Sequence, residues 1–313
     1  MSRQRRARTT WLGALIVPAL LVATSAVAAA AGGGGSAKPA GGSAGGAAAC
    51  GPVQVLDATT FPGIPSITNT FQPMVPGTQF LLDGVVVGKN GVKHPHRIQT
   101  TVTDLTKVLD GVRTVVIHEQ DIQDGQLQES ELYFVSQDRN GAIWTFGEYP
   151  EEYSGGKLTG APASWLSGVA AAHAGIAMQG SPQAGTPVYR QGFAPSVGFE
   201  DCASVFQTGQ HVCNGTTCYD NVLVTDEFAP NAQSSGHQRK YYAPGIGTVK
   251  VGAASGVDPE TLTLTSASKL CAAAFAQIRQ QAVAQDGRSS SVARNVYSGT
   301  PAAAQTLTAQ LTC

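Results

Sequence analysis

The sequence predicts a mainly β protein, an antiparallel meander curled into a half-barrel or barrel, with a C-terminal amphipathic helix. Three observations predict it. From Arg113 to Tyr149, β-rich runs alternate with Asp124-Gly125 and Asn140-Gly141, dipeptides that favour tight type I′ hairpin turns. In the resulting strands Ile117, Leu132, Phe134 and Tyr149 share one face and Val116, Tyr133 and Val135 the other. A sheet apolar on both faces has to be covered on both or rolled around its own contents. Finally, Cys271, Phe275, Ile278 and Ala282 recur at helical spacing within Ser266 to Gln285, which makes one apolar stripe.

The elements follow in order. Phe61 to Gly84 begins as proline-rich extended chain and enters a strand near Thr78, with a second strand around Val85 to Gly88. His94-Pro95-His96 reads as a loop because of its proline and the adjoining turn. RIQTTVTDLTK then alternates as a strand up to the Asp110-Gly111 turn. After the meander, Tyr153 to Ser167 contains two glycine-rich breaks. Strands are expected at Pro187 to Phe193, Cys202 to Phe206, Asn221 to Phe228, Arg239 to Tyr242 and, last in the sheet, Gly247 to Gly252. The helix should stop at Asp286-Gly287.

The chain opens with Arg3, Arg5, Arg6 and Arg8, an apolar run from Trp11 to Val22, and the small residues Ala26-Val27-Ala28. That is the pattern of a secretory signal peptide. The expected organisation is a signal over 1–28, a Gly/Ala/Ser-rich linker over 29–49, a β domain over 50–252 and a helical tail over 253–313. The apolar run falls short of the roughly 20 residues that span a bilayer, so no membrane span is expected and the location is secreted, extracellular or cell envelope. Without the leader, 16 basic residues face 21 acidic ones, a net charge of about −5. That balance argues against nucleic acid as a partner. All six cysteines follow the leader, as expected of disulfides in an exported chain. Cys213 and Cys218 bracket a short Asn214-Gly215 loop and are expected to pair, while Cys50, Cys202, Cys271 and Cys313 join distant segments in an order the spacing leaves open.

Chemistry concentrates in the meander. Two-residue turns set His118 opposite Glu131, Gln120 opposite Glu129 and Val116 opposite Tyr133; the next turn sets Tyr133 opposite Glu148, Val135 opposite Phe146 and Gln137 opposite Trp144. The expected site is therefore a concave face carrying His118, Glu129, Glu131, Tyr133, Trp144, Phe146 and Glu148. A one-residue slip would send each of these side chains to the other side. From Glu119 to Glu152 there are nine acidic residues against Arg139 alone. Such a face suits a small-molecule or lipid-like ligand that is apolar or amphipathic, or a divalent cation held by His118 and Glu131. Three functions follow: a secreted binding protein, a metal-assisted hydrolase using His118 and nearby carboxylates, or a non-catalytic cell-envelope interaction module whose sheet is filled by its own side chains.

Weaker motifs add little. His94 and His96 alternate as in some metal sites but lack a third ligand. His173, His211 and His237 have no serine in a GxSxG frame to serve. Asp138-Arg139-Asn140-Gly141 is a turn rather than a calcium loop, lacking the closing acid.

The run TVTDLTKVLDGVRTVVIHEQDIQDGQLQESELYFVSQDRNGAIWTFGEY and the later YYAPGIGTVKV resemble an uncharacterised family of secreted bacterial proteins. There a "DG" hairpin, a "QDxxGxxWxFGE" strand pair and a closing "YYAPGVG" strand recur, matched here by Tyr241, Tyr242, Pro244 and Gly245. The closing motif is more loosely similar to outer-membrane lipoprotein-sorting carriers, a likeness that implies a half-barrel around an apolar cavity. Neither resemblance implies an activity.

Overall fold

The computed structural model describes residues 50–312 except 89, 90 and 258. The expected signal peptide, the linker and Cys313 lie outside the described residues. The strands are β1 (Thr78–Val87), β2 (Lys93–Leu109), β3 (Val112–Gln123), β4 (Gln126–Gln137), β5 (Ile143–Ser154), β6 (Lys157–Gly160), β7 (Trp165–Leu166), β8 (His173–Met178), β9 (Tyr189–Ala194), β10 (Phe199–Asn214), β11 (Thr217–Phe228), β12 (His237–Ala243), β13 (Gly247–Ala253), β14 (Glu260–Lys269) and β15 (Ala304–Gln305); the helices are α1 (Ala272–Val292) and α2 (Arg294–Tyr297).

Twelve of these strands close into an antiparallel barrel in the order β1-β14-β13-β12-β11-β10-β9-β8-β5-β4-β3-β2, with β2 returning to β1. Closure removes both sheet edges and gives the two apolar faces separate partners. Val102, Val115, Ile117, Tyr133 and Val135 fill the lumen, packed with Ile67 and Met74 of the N-terminal segment. Val116, Leu132, Phe134 and Tyr149 face outward and are covered by Ala282 of α1 and Tyr297 of α2. The Tyr297 hydroxyl also donates to the Glu148 carbonyl at 2.8 Å.

The strands that close the barrel were the ones least legible. Glu260–Lys269 falls in the expected helical tail over 253–313, yet it inserts between β13 and β1, so the β domain runs past Gly252 and the helix begins at Ala272 rather than Ser266. Its Thr-Leu alternation, ETLTLT, is a strand period. Gly84 serves the same junction: a Cβ there would sit 1.8 Å from the Thr261 carbonyl oxygen. Val85 to Val87 continues β1 rather than forming a second strand, and His94-Pro95-His96 lies within β2. At its other end α1 runs through Gly287 to Val292. Asp286 accepts from Lys107 Nζ at 2.7 Å and from the Ala303 backbone N–H at 2.8 Å, contacts that outweigh the cost of about 1 kcal/mol for a helical glycine.

Turn chemistry is as expected at Asp110-Gly111 and Asp124-Gly125, where all four residues have positive φ. At Asn140-Gly141 only Gly141 does. There the Gly141 N–H bonds to the Asp138 carbonyl and the Asp138 N–H to the Ala142 carbonyl, a wider loop than a type I′ turn. Cys213 pairs with Cys218, and Cys50 with Cys202. The two disulfides place the folded chain in an oxidising, extracytoplasmic setting. Among the described residues no helix is long and apolar enough to cross a membrane.

Candidate functional site

Within the β3–β5 meander, two bulges decide which side chains enter the lumen. Ile122 pairs with Leu127, but Asp121 pairs with Glu129, so Gln128 is the extra residue. Beyond it the register moves by one: His118 lies opposite Leu132, Glu119 opposite Glu131, and Ile117 opposite Tyr133. The second bulge falls at Phe146. Val135 pairs with Thr145 and Gln137 with Ile143, while Tyr133 keeps its expected partner Glu148. Gly147 (φ 150°) permits this bend, and a Cβ there would meet the Trp165 carbonyl oxygen of β7 at 2.5 Å.

The expected face therefore splits. Glu129, Glu131, Tyr133 and Glu148 point into the barrel. His118, Trp144 and Phe146 point out. Trp144 and Phe146 pack edge-on against Phe61, and the Trp144 indole donates to Asp138 at 3.0 Å. His118 sits under α1, with Nε2 3.3 Å from the Ser130 hydroxyl, which itself donates to Gln285 at 3.0 Å. Burial first of all, against a small opposing pull from Glu151, pushes its pKa down to about 4. His118 and Glu131 thus lie on opposite sides of the sheet, and the proposed ligand pair for a metal does not exist. Among the described residues, the metal-ligating atoms that converge within 4.8 Å are those of His211, Cys213 and Cys218 and those of Cys50, Glu200 and Cys202. Both sets contain a disulfide, whose sulfurs are not thiolates.

What the lumen holds is an axial gradient. Reading inward-facing positions toward the Asp124 turn, β3 runs Val115, Ile117, Glu119, Asp121 and β4 runs Val135, Tyr133, Glu131, Glu129. Glu148, Asp201, Glu227 and Glu260 join them from β5, β10, β11 and β14. All eight carboxyls are buried. Lys240 and His96 oppose them. Lys240 Nζ lies 2.7 Å from Glu227, which also accepts from the Thr225 hydroxyl at 2.7 Å and the Tyr242 hydroxyl at 3.1 Å. His96 lies between Asp121, at 2.7 Å from Nε2, and Glu260 on Nδ1. Burial favours its neutral form, but the two carboxylates outweigh this and push the pKa up to about 10.

Glu119, Glu129, Glu131 and Glu148 are poorly compensated. Burial, with help from neighbouring acids, pushes Glu119 and Glu260 up to about 7, despite a 2.5 Å hydrogen bond from Thr100 to Glu119 and the His96 contact at Glu260. Burial and then surrounding carboxylates drive Glu129, Glu131 and Glu148 well above the carboxylate range. Both carboxyl oxygens of Glu131 lack a hydrogen-bond partner, and Trp165 approaches Glu148 without closing a well-aligned bond. Burial thus favours the protonated form of these carboxyls.

A cavity of about 70 Å³ lies where the gradient changes, walled by Phe80, Leu82, Ile98, Tyr133 and Tyr242, with Glu119 and Lys240 at its polar side. Gln72, Pro73 and Met74 of the N-terminal segment also line it. Asn69 fastens that segment through bonds to the Gly141 and Gln179 carbonyls at 2.8 and 3.0 Å.

Sequence reasoning missed His96, Asp201, Glu227, Lys240, Tyr242 and Glu260 as lumen residues. Period-two spacing such as Gln238, Lys240, Tyr242 was visible, but only closure reveals which parity faces inward. The closing motif at Tyr241–Gly245 forms the end of β12 and its turn into β13. No family model matches this chain, and no curated protein matches it. Two solved structures are similar in part. One is a Bacteroides fragilis protein described as exported, with a YmcC-like fold, at 13% identity and TM-score 0.36, covering 64% of this chain and 100% of that one. The other is a Parabacteroides distasonis protein described as a lipoprotein, at 11% identity and TM-score 0.34, covering 64% and 99%. At these TM-scores neither establishes a shared fold.

Proposed function

We propose that this protein is a secreted binding protein whose barrel takes up a small amphipathic molecule with a cationic group, such as a short-chain organic amine. The observation that carries the reading is the junction, in the lumen cavity, of an apolar wall with Glu119, whose cross-strand neighbour Glu131 is a buried carboxyl that has no hydrogen-bond partner. An ammonium group placed against Glu119 would supply charge-assisted donors and offset the negative charge of Glu119 and of Glu131 beside it, and Tyr133 and Tyr242 would offer ring faces to it. The hydrocarbon part would lie toward Val102 and Met74. At about 70 Å³, well below the roughly 300–1,000 Å³ of ordinary ligand clefts, the cavity suits a few heavy atoms. A lipid chain would need the Gln72–Met74 segment displaced.

Calorimetry with butylamine, putrescine, butanol and butyrate tests this. The amines should bind with release of protons, seen as a buffer-dependent heat, and Glu119→Gln should weaken them at least tenfold. Equal response to butanol, or silence across the panel, would overturn the reading. Silence would favour the non-catalytic interaction module, which the small cavity and the N-terminal segment packed in the lumen also support.

A further inference from the structure

Beyond Val205 and Leu223 the strands of the β10–β11 hairpin pair only with each other, packing Val212 and Tyr219 beside Val249, and the tip carries a cluster unrelated to the lumen. Cys213 and Cys218 face each other across the hairpin as a directly paired position and are joined by a disulfide. Both are exposed. Two residues before Cys213, His211 places Nε2 3.3 Å from the Cys213 sulfur. On the other strand, Asp220 Oδ1 lies 2.6 Å from His211 Nδ1. A carboxylate on Nδ1 fixes the ring and leaves Nε2 to exchange a proton with the sulfur.

We propose that the Cys213–Cys218 pair is a redox-active disulfide that exchanges with external dithiols, with Cys213 as the leaving and attacking sulfur assisted by His211 and Asp220. A thiolate of the external dithiol attacks the Cys218 sulfur. The S–S bond breaks, and its electron pair leaves on Cys213, which takes a proton from Nε2 of protonated His211; solvent then returns that proton to the imidazole. The second thiol of the external dithiol, deprotonated, then attacks its own mixed-disulfide sulfur and releases Cys218 as a thiolate, which is protonated from solvent. The hairpin gains two electrons and two protons, and the dithiol becomes a disulfide. In reverse, the Cys213 thiolate attacks an external disulfide.

Geometry separates this pair from the other disulfide. Cys50–Cys202 joins segments 152 residues apart, and Cys202 is fully buried. Cys213–Cys218 closes only a hairpin tip, so opening it releases little chain. Exposure permits approach of a partner. Because His211 and Asp220 are themselves exposed, at 63% and 80% of their side chains, solvent screens their effect and the expected gain is several-fold rather than many orders.

The test equilibrates the folded, full-length exported protein in graded reduced and oxidised dithiothreitol, traps thiols with a maleimide and maps them by mass spectrometry. Cys213 and Cys218 should open reversibly while Cys50–Cys202 stays closed and the circular dichroism spectrum is unchanged. Alkylation of reduced Cys213 by iodoacetamide should have a pH midpoint that rises in His211→Ala, with a three- to tenfold slower rate at pH 7, and Asp220→Asn should lie between. If the pair opens only when the barrel unfolds, or if the pH profile of Cys213 is the same in His211→Ala, the hairpin disulfide is a structural clip and the proposal is wrong.

Discussion

Glu119 and Glu131 stand directly opposite one another across β3 and β4, both buried and both facing the lumen. Like charges so placed repel, and here burial multiplies the cost. Replacing Glu131 with Gln should therefore raise stability by about 1–3 kcal/mol at pH 8 and have little effect near pH 4.5, where the acid already carries its proton. Urea unfolding at the two pH values measures this. A loss of stability at pH 8 would mean that Glu131 has a partner in solution that balances its charge.

The lumen acids also set the pH dependence. Glu119 and Glu260, raised to about 7 from 4.5, contribute stability that is fully present below pH 4.5 and lost as pH rises through about 7. His118, lowered to about 4 from 6.5, acts oppositely: its contribution is present above pH 6.5 and lost as pH falls through about 4. With Glu129, Glu131 and Glu148 also raised, carboxyls prevail. Tm of the ligand-free protein should climb between pH 7.5 and about 5; a steady fall over that range would contradict the protonated lumen.

His96 governs the alkaline side. Its pKa of about 10 means that its stabilisation, complete below pH 6.5, disappears as pH rises through about 10. His96→Gln should cost about 3–5 kcal/mol near neutral pH by leaving Asp121 and Glu260 without their cation. Thermal scans from pH 7 to 10 should show the variant's curve flatter than the parent's. Parallel curves would place the titrating group elsewhere.

Lys107 and Asp286 are 1% and 5% exposed in a contact that ties α1 to β2. Lys107→Ala should destabilise by about 3–5 kcal/mol, since the aspartate is left buried and unpaired, whereas Lys107→Ala with Asp286→Ala should recover part of that loss. Hydrogen exchange should locate the loosening in α1. Uniform loosening of barrel and helix would show that α1 is not a separable cover.

Cys271 and Cys313 are the two cysteines outside the described disulfides. The Thr312 N–H bonds to the Leu270 carbonyl at 3.3 Å and its hydroxyl to Lys269 at 3.0 Å, so the residues preceding both cysteines are neighbours. Peptide mapping without reduction should recover Cys271 linked to Cys313. A free thiol at Cys271 in the purified protein would refute the pairing.

Much of the local structure was legible. Asp110-Gly111 and Asp124-Gly125 made their turns because their residues tolerate positive φ, and Phe275, Ile278 and Ala282 formed the buried stripe of α1. The site was half legible: Glu129, Glu131, Tyr133 and Glu148 do share the concave face, but His118, Trp144 and Phe146 do not. Nothing in QLQES announced an extra residue at Gln128, because Val115, Val116 and Ile117 are apolar on both parities and either register buries a comparable surface. A bulge is chosen by the strands on both sides, and those strands are remote in sequence.

By itself, then, the chain's order of residues determined its β character, its turns, the Cys213–Cys218 pairing and an acid-rich meander, all of which are local or period-two properties. Only the closed barrel decided that Glu119 faces Glu131, that His118 lies under α1, and that His96 and Lys240 are the cations among eight buried acids. The physical reason is that a side chain's partner in a sheet depends on register, and register here is fixed in the meander by two single-residue bulges, elsewhere by further bulges, and around the barrel by β14, the strand that joins β13 to β1.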